Sequence, residues 1–582
     1  MSIRSVVASA FGAASYVPLE SAEVPALSGG RLFVSPALLR DLSRAAFSEA
    51  AFYLRRTHLA ALAAVLDDPG ASDNDRFVVR TLLRNALVAA RGELALCQDT
   101  GTATVAAWKD ESVFTGADDE AELAEGARRA YRKRFLRDSQ VAPRSFFDEA
   151  DTGDNLPAQI HLEATPDGPD GPAYRFLFIA KGGGSANKTA FFQMSKALLE
   201  AERFDAFLAE KVAALGTAAC PPYRLAVVVG GTSPEENLRV LKLATTELLD
   251  GAEPFGSSGE DAGRIAGAGE LRRDPFWERR LMDHARESGL GAQFGGSALA
   301  LDARVLRLPR HAASCPVSIG VSCAAHRNVL AVVDAAGARI EALEKDPARF
   351  LSGLGGVTAE LVAETEGRAP GRSAAARSAS PERIEETEID LDRPMEEIRG
   401  ALSARAVGDR VLLSGRIVVA RDAAHLRWHA LAAAGKSLPD YVFRHPIMYA
   451  GPAATPPGKR IGAFGPTTAQ RMDAYAEELL SRGASLVSIA KGNRGPAWTA
   501  ACRAYGGFYL GVIGGAAALI SEEHIGESQI IDYPELGMEA VRLIRVSRLP
   551  AFVIVDDKGN ELYARLTGGR PSGGRAATGP KG

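Results

Sequence analysis

The chain has 582 residues, a formal net charge of −4 and 46% hydrophobic residues. A single hydrophobic core rarely grows past roughly 250–300 residues, so several domains are expected. The charge balance excludes a strong polyanion-binding field, no apolar run reaches the ~20 residues of a bilayer span, and five cysteines are too sparse and odd in number for a secreted disulfide framework. The expectation is a cytoplasmic protein of a reducing compartment, with no nucleic-acid and no membrane partner.

Residues 1–30 read as a partly disordered extension. Arg4 is its one early basic residue, too little for a targeting presequence, and Glu20 and Glu23 soon follow. A domain over 31–365 opens with apolar residues at helical spacing over 36–62 and 73–90, with Ser35 and Ser72 or Asp73 placed as N-caps. Short apolar runs at 174–180 and 225–229 end in glycines, as buried strands entering functional turns do. Residues 329–334 and 338–343 pair as a hairpin. Residues 366–385, rich in Ala, Ser, Pro and Arg, read as a linker or insertion. The domain over 386–565 alternates strands at 411–420, 485–490, 508–513 and 552–555 with helical stretches such as 469–482. Residues 566–582 read as a disordered tail. The expected fold class is α/β and α+β, multidomain: a mixed N-terminal domain plus a smaller layered α/β C-terminal domain.

Four of the five cysteines, Cys97, Cys220, Cys315 and Cys323, stand in turns flanked by Gly, Pro or Ser; Cys502 lies in a helical stretch. Thiolates gathered from distant turns suit an iron–sulfur cluster, and three of them would leave one iron open as a Lewis acid. The plain alternative is that these are small buried core residues. The residue pattern does not choose between Cys315 and Cys323. The loop over 181–189, Lys-Gly-Gly-Gly-Ser-Ala-Asn-Lys-Thr, follows a strand and is expected to precede a helix. It is not a Walker A loop, because Asn187 stands where that motif needs Gly, yet its glycines let backbone N–H groups approach an anion. Thr467, Thr468 and Arg471 open a helix, while Arg421 and Lys491 end strands. Cations at element ends suit a small anion, which Arg grips through two parallel N–H bonds.

These motifs resemble the class I fumarate hydratases, the iron–sulfur fumarases. The resemblance rests on Cys97-Gln98-Asp99-Thr100-Gly101-Thr102-Ala103, Leu136-Arg137-Asp138-Ser139-Gln140, Asn155-Leu156-Pro157-Ala158-Gln159 and the loop over 181–189. It continues through the segment over 216–223, Arg307-Leu308-Pro309-Arg310-His311, the segment over 465–473, Lys491-Gly492-Asn493-Arg494 and Tyr533-Pro534-Glu535-Leu536-Gly537-Met538-Glu539, and covers about residues 30–565. It implies one [4Fe–4S] cluster per chain on Cys97, Cys220 and Cys323, the resemblance alone choosing Cys323. It also implies substrate contacts from Gln98, Asp99, Arg137, Gly184, Arg421, Thr467, Thr468, Arg471 and Lys491. His311 matches an active-site histidine that some members take from the partner subunit, so a homodimer is implied.

The implied reaction interconverts fumarate and (S)-malate in a site between the two domains. Thr467 is the expected proton-transfer group, with Asp99 and His311 as activating or relay groups and Asp99 as the alternative base. Asp138 stands where the family usually has Tyr, Gln470 replaces a Gly, and Leu301 replaces a frequent His. A related hydro-lyase for mesaconate or tartrate is the alternative, since one methyl or hydroxyl in a pocket shifts preference by only ~1–3 kcal/mol.

Overall fold

The structure is a computed structural model, and it describes residues 2–255, 270–351 and 387–568. The expected linker and all but the start of the expected tail lie outside the described residues. Three large sheets carry the fold, beside one small sheet of three strands and one of two. The first has six strands in the order Tyr16–Pro18, Gly337–Glu341, Asn328–Asp334, Tyr174–Lys181, Thr102–Asp110 and Gln159–Thr165. Its central strands alternate their burial between two faces, as a period of two demands. Phe176 and Phe178 pack with Phe47, Phe52 and Tyr131 under the helices Pro36–Phe52 and Asp119–Lys133. Leu177 and Ile179 pack on the other face against the helix Pro234–Ala244.

The second sheet has the order Ala190–Met194, Cys315–Ser322, Tyr223–Gly231, Ala300–Arg310 and Arg272–Arg273. Every residue of Tyr223–Gly231 is buried. Ala226 and Val228 meet the helix Pro234–Ala244, so that helix fills the layer between the two sheets, while Leu225, Val227 and Val229 join the largest core on the opposite face. A near-continuous apolar run, here Leu225 to Val229, is the expected result of burial on both faces.

The third sheet gives the C-terminal domain its expected α/β layers and closes on itself. Arg410–Val419, Ile447–Met448, Val487–Ala490 and Phe508–Gly511 run parallel, joined by helices that include Asp422–Ala433, Ala476–Ser481 and Pro496–Tyr505. The strand Val541–Val555 then pairs with both Phe508–Gly511 and Arg410–Val419, closing five strands into a barrel. The apolar run at 552–555 is only the end of that long strand. Its earlier residues alternate buried and exposed, with several arginines outward, which hides them from a search for continuous apolar runs.

Other expectations need correction. The start of the chain is not a disordered end: Ile3–Ala13 is a helix capped by Ser2, with Val6, Val7 and Phe11 buried and Phe11 edge-on to Trp108 at 5.9 Å. Its three large apolar residues recur on one face, which anchors it despite its length. The helix expected over 36–62 breaks at Tyr53 into Pro36–Phe52 and Arg56–Asp67. The helix expected after the loop over 181–189 is a single turn, Gly183–Ala186, and the chain resumes as strand Ala190–Met194.

His425 anchors the first helix of the barrel. Its ring is buried between Trp428 and Tyr449, and Nδ1–H donates to the Arg421 carbonyl at 2.9 Å, leaving Nε2 without a partner. Burial pushes its pKa down to about 4. The unfolded chain therefore binds this proton near pH 6.5 while the folded chain resists it until about 4, so stability present above pH 6.5 is lost as pH falls through that window. Chemical denaturation at pH 7 and 5 should show wild type losing roughly 1–2 kcal/mol more than His425→Phe, which cannot titrate. Equal losses would remove His425 as the cause.

Candidate active site

Strand register assembles the site. Thr102 pairs with Lys181, and Asn328 pairs with Ile179, so the loops before Thr102, after Lys181 and before Asn328 emerge at one end of the first sheet. In the second sheet Ser322 pairs with Arg224, which brings Cys323 beside the loop of Cys220. Segment 322–328 passes from the second sheet to the first and so links the loops of Cys97 and Cys220. Ala324 N–H donates to the Cys220 carbonyl at 3.1 Å, and His58 Nε2–H donates to the Ala324 carbonyl at 2.8 Å. Gly101 must be glycine: its φ is +82°, and a Cβ there would lie 2.7 Å from the Lys181 carbonyl carbon.

The barrel supplies the opposite wall. Arg421, Tyr449, Lys491 and the turn Gly514-Gly515 all follow the ends of its parallel strands, where ligands of parallel sheets bind. Two buried amides fasten that turn to the thiol loops. Asn85 Nδ2 donates to the Leu96 carbonyl at 2.9 Å and the Gly515 carbonyl at 3.1 Å, and its Oδ1 accepts from Leu519 N–H. Gln293 donates to the Pro221 and Gly514 carbonyls and accepts from Gly514 N–H at 2.8 Å. A Cβ on Gly514 would overlap Cys220 Sγ, so only glycine leaves room for that sulfur.

Between the walls lies a cleft of about 870 Å³. Gln98, Asp99, Arg137 and Gly184 line it from the N-terminal side, and Arg421, Thr467, Thr468, Arg471 and Lys491 from the barrel. All nine expected substrate contacts thus meet in one space. Arg137 pairs with Asp99 at 3.2 Å, and Arg421 with Glu539 at 2.8 Å. Arg137 Nη1 and Arg421 Nε are nonetheless buried without hydrogen-bond partners. Burial, then the neighbouring Arg137, lowers the pKa of Arg421. Burial opposes charge on Asp99, yet Arg137, Arg327, Lys491 and the Gly183 N–H outweigh it and hold its carboxyl below the usual range. Thr467 is buried; its hydroxyl donates to the Tyr449 carbonyl at 3.1 Å, and its backbone carbonyl accepts from Lys491 N–H.

The thiols lie beneath this cleft. Lys491 Nζ donates to Cys220 Sγ at 2.8 Å, and Cys97 Sγ stands 3.5 Å from Gln98 Oε1. Burial pushes the Cys220 thiol up to about 11 against the pull of Lys491, and both Cys323 and Cys97 act on it electrostatically. Cys97 is raised by burial as well, and it feels Cys323, Lys491 and Arg327. Cys315 opens the strand whose far end delivers Cys323; at ~3.3 Å per residue it stands roughly 23 Å away. Cys502 is buried on the helix Pro496–Tyr505. Among the described residues no three acidic, Cys or His side chains converge as ligands of a single metal ion. The three thiols are close enough to act on one another electrostatically, with Lys491 and Arg327 beside them, a donor set that fits an anionic multi-iron core.

His311 is the exception among the expected residues. It sits on the exposed turn between Ala300–Arg310 and Cys315–Ser322, its Nδ1 accepting from Ala313 N–H, and it does not line the cleft of its own chain. Sequence reasoning missed Asn85, Gln293, Arg327 and the bridging role of His58. Asn85 carried a signal: it is a polar residue on the buried face of an amphipathic helix, beside Leu82, Ala86 and Ala89.

A family model described as "Fumarate hydratase (Fumerase)" matches residues 40–332, and one described as "Fumarase C-terminus" matches residues 355–566. The chain belongs to the class I fumarate hydratase family of enzymes. It is 45% identical over 543 residues to fumarate hydratase 2 of Leishmania major, covering 93% of this chain and 89% of that protein. It is 46% identical over 535 residues to the anaerobic class I fumarate hydratase of Escherichia coli (strain K12), covering 92% of this chain and 91% of that protein. Similarity to the L(+)-tartrate dehydratase subunit beta of the same strain is partial: 29% identity over 162 residues, 27% of this chain and 79% of that protein.

Replacing Asn85 or Gln293 by Leu leaves three buried backbone groups unpaired in each case. Each variant should lose at least about 3 kcal/mol of stability, since each unsatisfied buried group costs ~1–3 kcal/mol. Urea denaturation measures this; a loss under 1 kcal/mol in both would mean that the amides do not hold the walls together.

Proposed function

We propose that the cleft interconverts fumarate and (S)-malate, using a [4Fe–4S] cluster held by Cys97, Cys220 and Cys323. The observation that carries this reading is the convergence of Arg137, Arg421 and Lys491 from both halves on one buried space above three thiols. Bound there, such a cluster supplies Lewis acidity from an open iron. The protein's own part is to bind a dicarboxylate, orient it, exclude water and move one proton.

Arg421 and Arg471 grip the distal carboxylate, and Lys491 adds positive charge where enediolate character grows as the C3 proton leaves. Each well-placed donor contributes on the order of 3 kcal/mol to that stabilisation. Glu539 holds Arg421 from behind, and Asp422, 3.3 Å from Arg471, does the same on its side. Gln98, fixed by its bond to the Pro466 carbonyl at 3.0 Å, orients the other end with Arg137, Thr468 and Gly184. Asp99 remains ionised and anchors Arg137. A carboxylate so surrounded by cations is a weak base, which favours Thr467 Oγ1 for the proton at C3. His311 completes the site from a second copy of the chain in a homodimer. The buried thiols suit a reducing, cytoplasmic compartment and an oxygen-sensitive enzyme.

Anaerobically reconstituted protein assayed with fumarate, mesaconate and tartrate tests the substrate. Fumarate should give the highest kcat/KM; a preference for either other acid would replace this reading with the related hydro-lyase.

Cys97→Ser, Cys220→Ser and Cys323→Ser should each lose bound iron and sulfide, while Cys315→Ser and Cys502→Ser keep both. Cluster loss in Cys315→Ser with retention in Cys323→Ser reverses the ligand assignment.

Thr467→Ala should lower kcat ~10²–10⁴-fold with the cluster retained. Asp99→Asn should mainly raise KM, by loosening Arg137. Near-wild-type kcat in Thr467→Ala beside an abolished rate in Asp99→Asn would move the base to Asp99.

A further inference from the structure

Arg327 has no ligand assigned to it in the reading above, yet it is a buried charge beside the thiols. Its side chain is 4% exposed, its Nε is buried without a hydrogen-bond partner, and among the described residues its guanidinium makes no hydrogen bond or ion pair. Such a group cannot discharge near neutral pH. An uncompensated buried charge is strongly destabilising, so a chain that retains one here implies an anion to meet it. Asp99 does not serve, because Arg137 and the Gly183 N–H already occupy its two oxygens. The adjoining cavity of about 20 Å³, lined by Lys181, Ser322, Cys323 and Arg327, has room for one water, which cannot neutralise a guanidinium.

The position of Arg327 is fixed rather than incidental. Its carbonyl accepts from Ala180 N–H at 3.0 Å, tying it to the strand that ends at Lys181. On one side, His326 Nδ1 bonds Ser322 Oγ at 2.7 Å while its Nε2 faces Glu247 at 3.2 Å; on the other, Asn328 starts the next strand. The side chain is thus delivered between the loops of Cys97 and Cys323. The negative groups that act on it are Cys97, Cys323, Asp99 and Tyr131, should each ionise. Of these, only the two thiols belong to the proposed cluster ligands.

We propose that Arg327 is a positioning residue for the cluster: its guanidinium donates to sulfur between the Cys97 and Cys323 ligands, and its charge sets the cluster's reduction potential and its resistance to air. This inference rests on the cluster reading of the proposed function. Hydrogen bonds and charge at the sulfurs are the protein's means of tuning such a potential. A cation held there favours the reduced, more negative form of the cluster. Its removal makes oxidation easier.

The test uses the full chain, metal-free and anaerobically reconstituted, as wild type, Arg327→Met and Arg327→Lys. Metal-free Arg327→Met, relieved of an unpaired charge, should melt at or above metal-free wild type. Reconstituted Arg327→Met should show a lower midpoint potential in an EPR-monitored titration and lose its visible chromophore in air about 10-fold faster. Arg327→Lys, with the charge but not the fork, should fall between the two. An unchanged potential and an unchanged decay rate in Arg327→Met overturn the proposal, whatever its melting point. If Arg327→Met does not fold, Arg327→Lys decides: faster decay than wild type supports the proposal and equal decay overturns it. Wild type that takes up no iron and sulfide would instead defeat the cluster reading, and this inference with it.

Discussion

The site depends on a surplus of buried positive charge held in place by backbone register. Arg137, Arg421, Lys491 and Arg327 are all at most 8% exposed, and Asp99 and Glu539 are the only acids that pair with any of them among the described residues. Charges so confined repel one another and resist desolvation, so the chain must force them together by other means. Strand pairing does this on the N-terminal side: two registers in the first sheet and one in the second bring three loops to a common edge. On the barrel side the parallel strands all end toward the same cleft. An anion that enters the cleft meets donors already in place, which is how a preorganised site gains affinity.

Much of this was legible in the sequence, and the reasons differ by element. The strands Tyr174–Lys181 and Tyr223–Gly231 were visible because both faces are buried and their apolar runs are continuous. Residue type left Ser72 and Asp73 both open as the cap, and the structure makes it Ser72, whose side chain and that of Asp75 form a reciprocal pair at the helix start. The long strand Val541–Val555 was hidden because one face of it meets water, and the barrel was hidden because closure depends on a pairing between strands more than a hundred residues apart. The helix Ile3–Ala13 was hidden because its docking partners, Trp108 and Leu177 among them, are distant in the chain.

The candidate site shows the same division. Motifs identified the groups that face the cleft, since those are polar residues in glycine-rich turns. The choice between Cys315 and Cys323 was not available from pattern, although eight residues of extended strand separate the two ends once the strand is known. The buried amides Asn85 and Gln293 were invisible because their partners are backbone groups, which every residue carries. His58 and Arg327 were invisible for a related reason. Each acts on a neighbour's peptide or charge, and no spacing rule marks such a residue.

The closed barrel carries a consequence for how this chain could be assembled in evolution. A sheet that returns to the strand Arg410–Val419 pairs all five barrel strands among themselves, and only the short outer strands Thr387–Asp390 and Ile525–Asp532 lie outside that closure. The five strands of the closed barrel can therefore be inherited, duplicated or encoded apart with their own pairing intact. What ties the barrel half to the other half is a broad surface, where Phe294 stacks on Phe552 at 4.0 Å, Lys459 pairs with Glu93 and the buried amides hold the Gly514-Gly515 turn. A single continuous chain raises the local concentration of one half around the other, and that advantage is kinetic and entropic, with no change needed in the chemistry of the cleft.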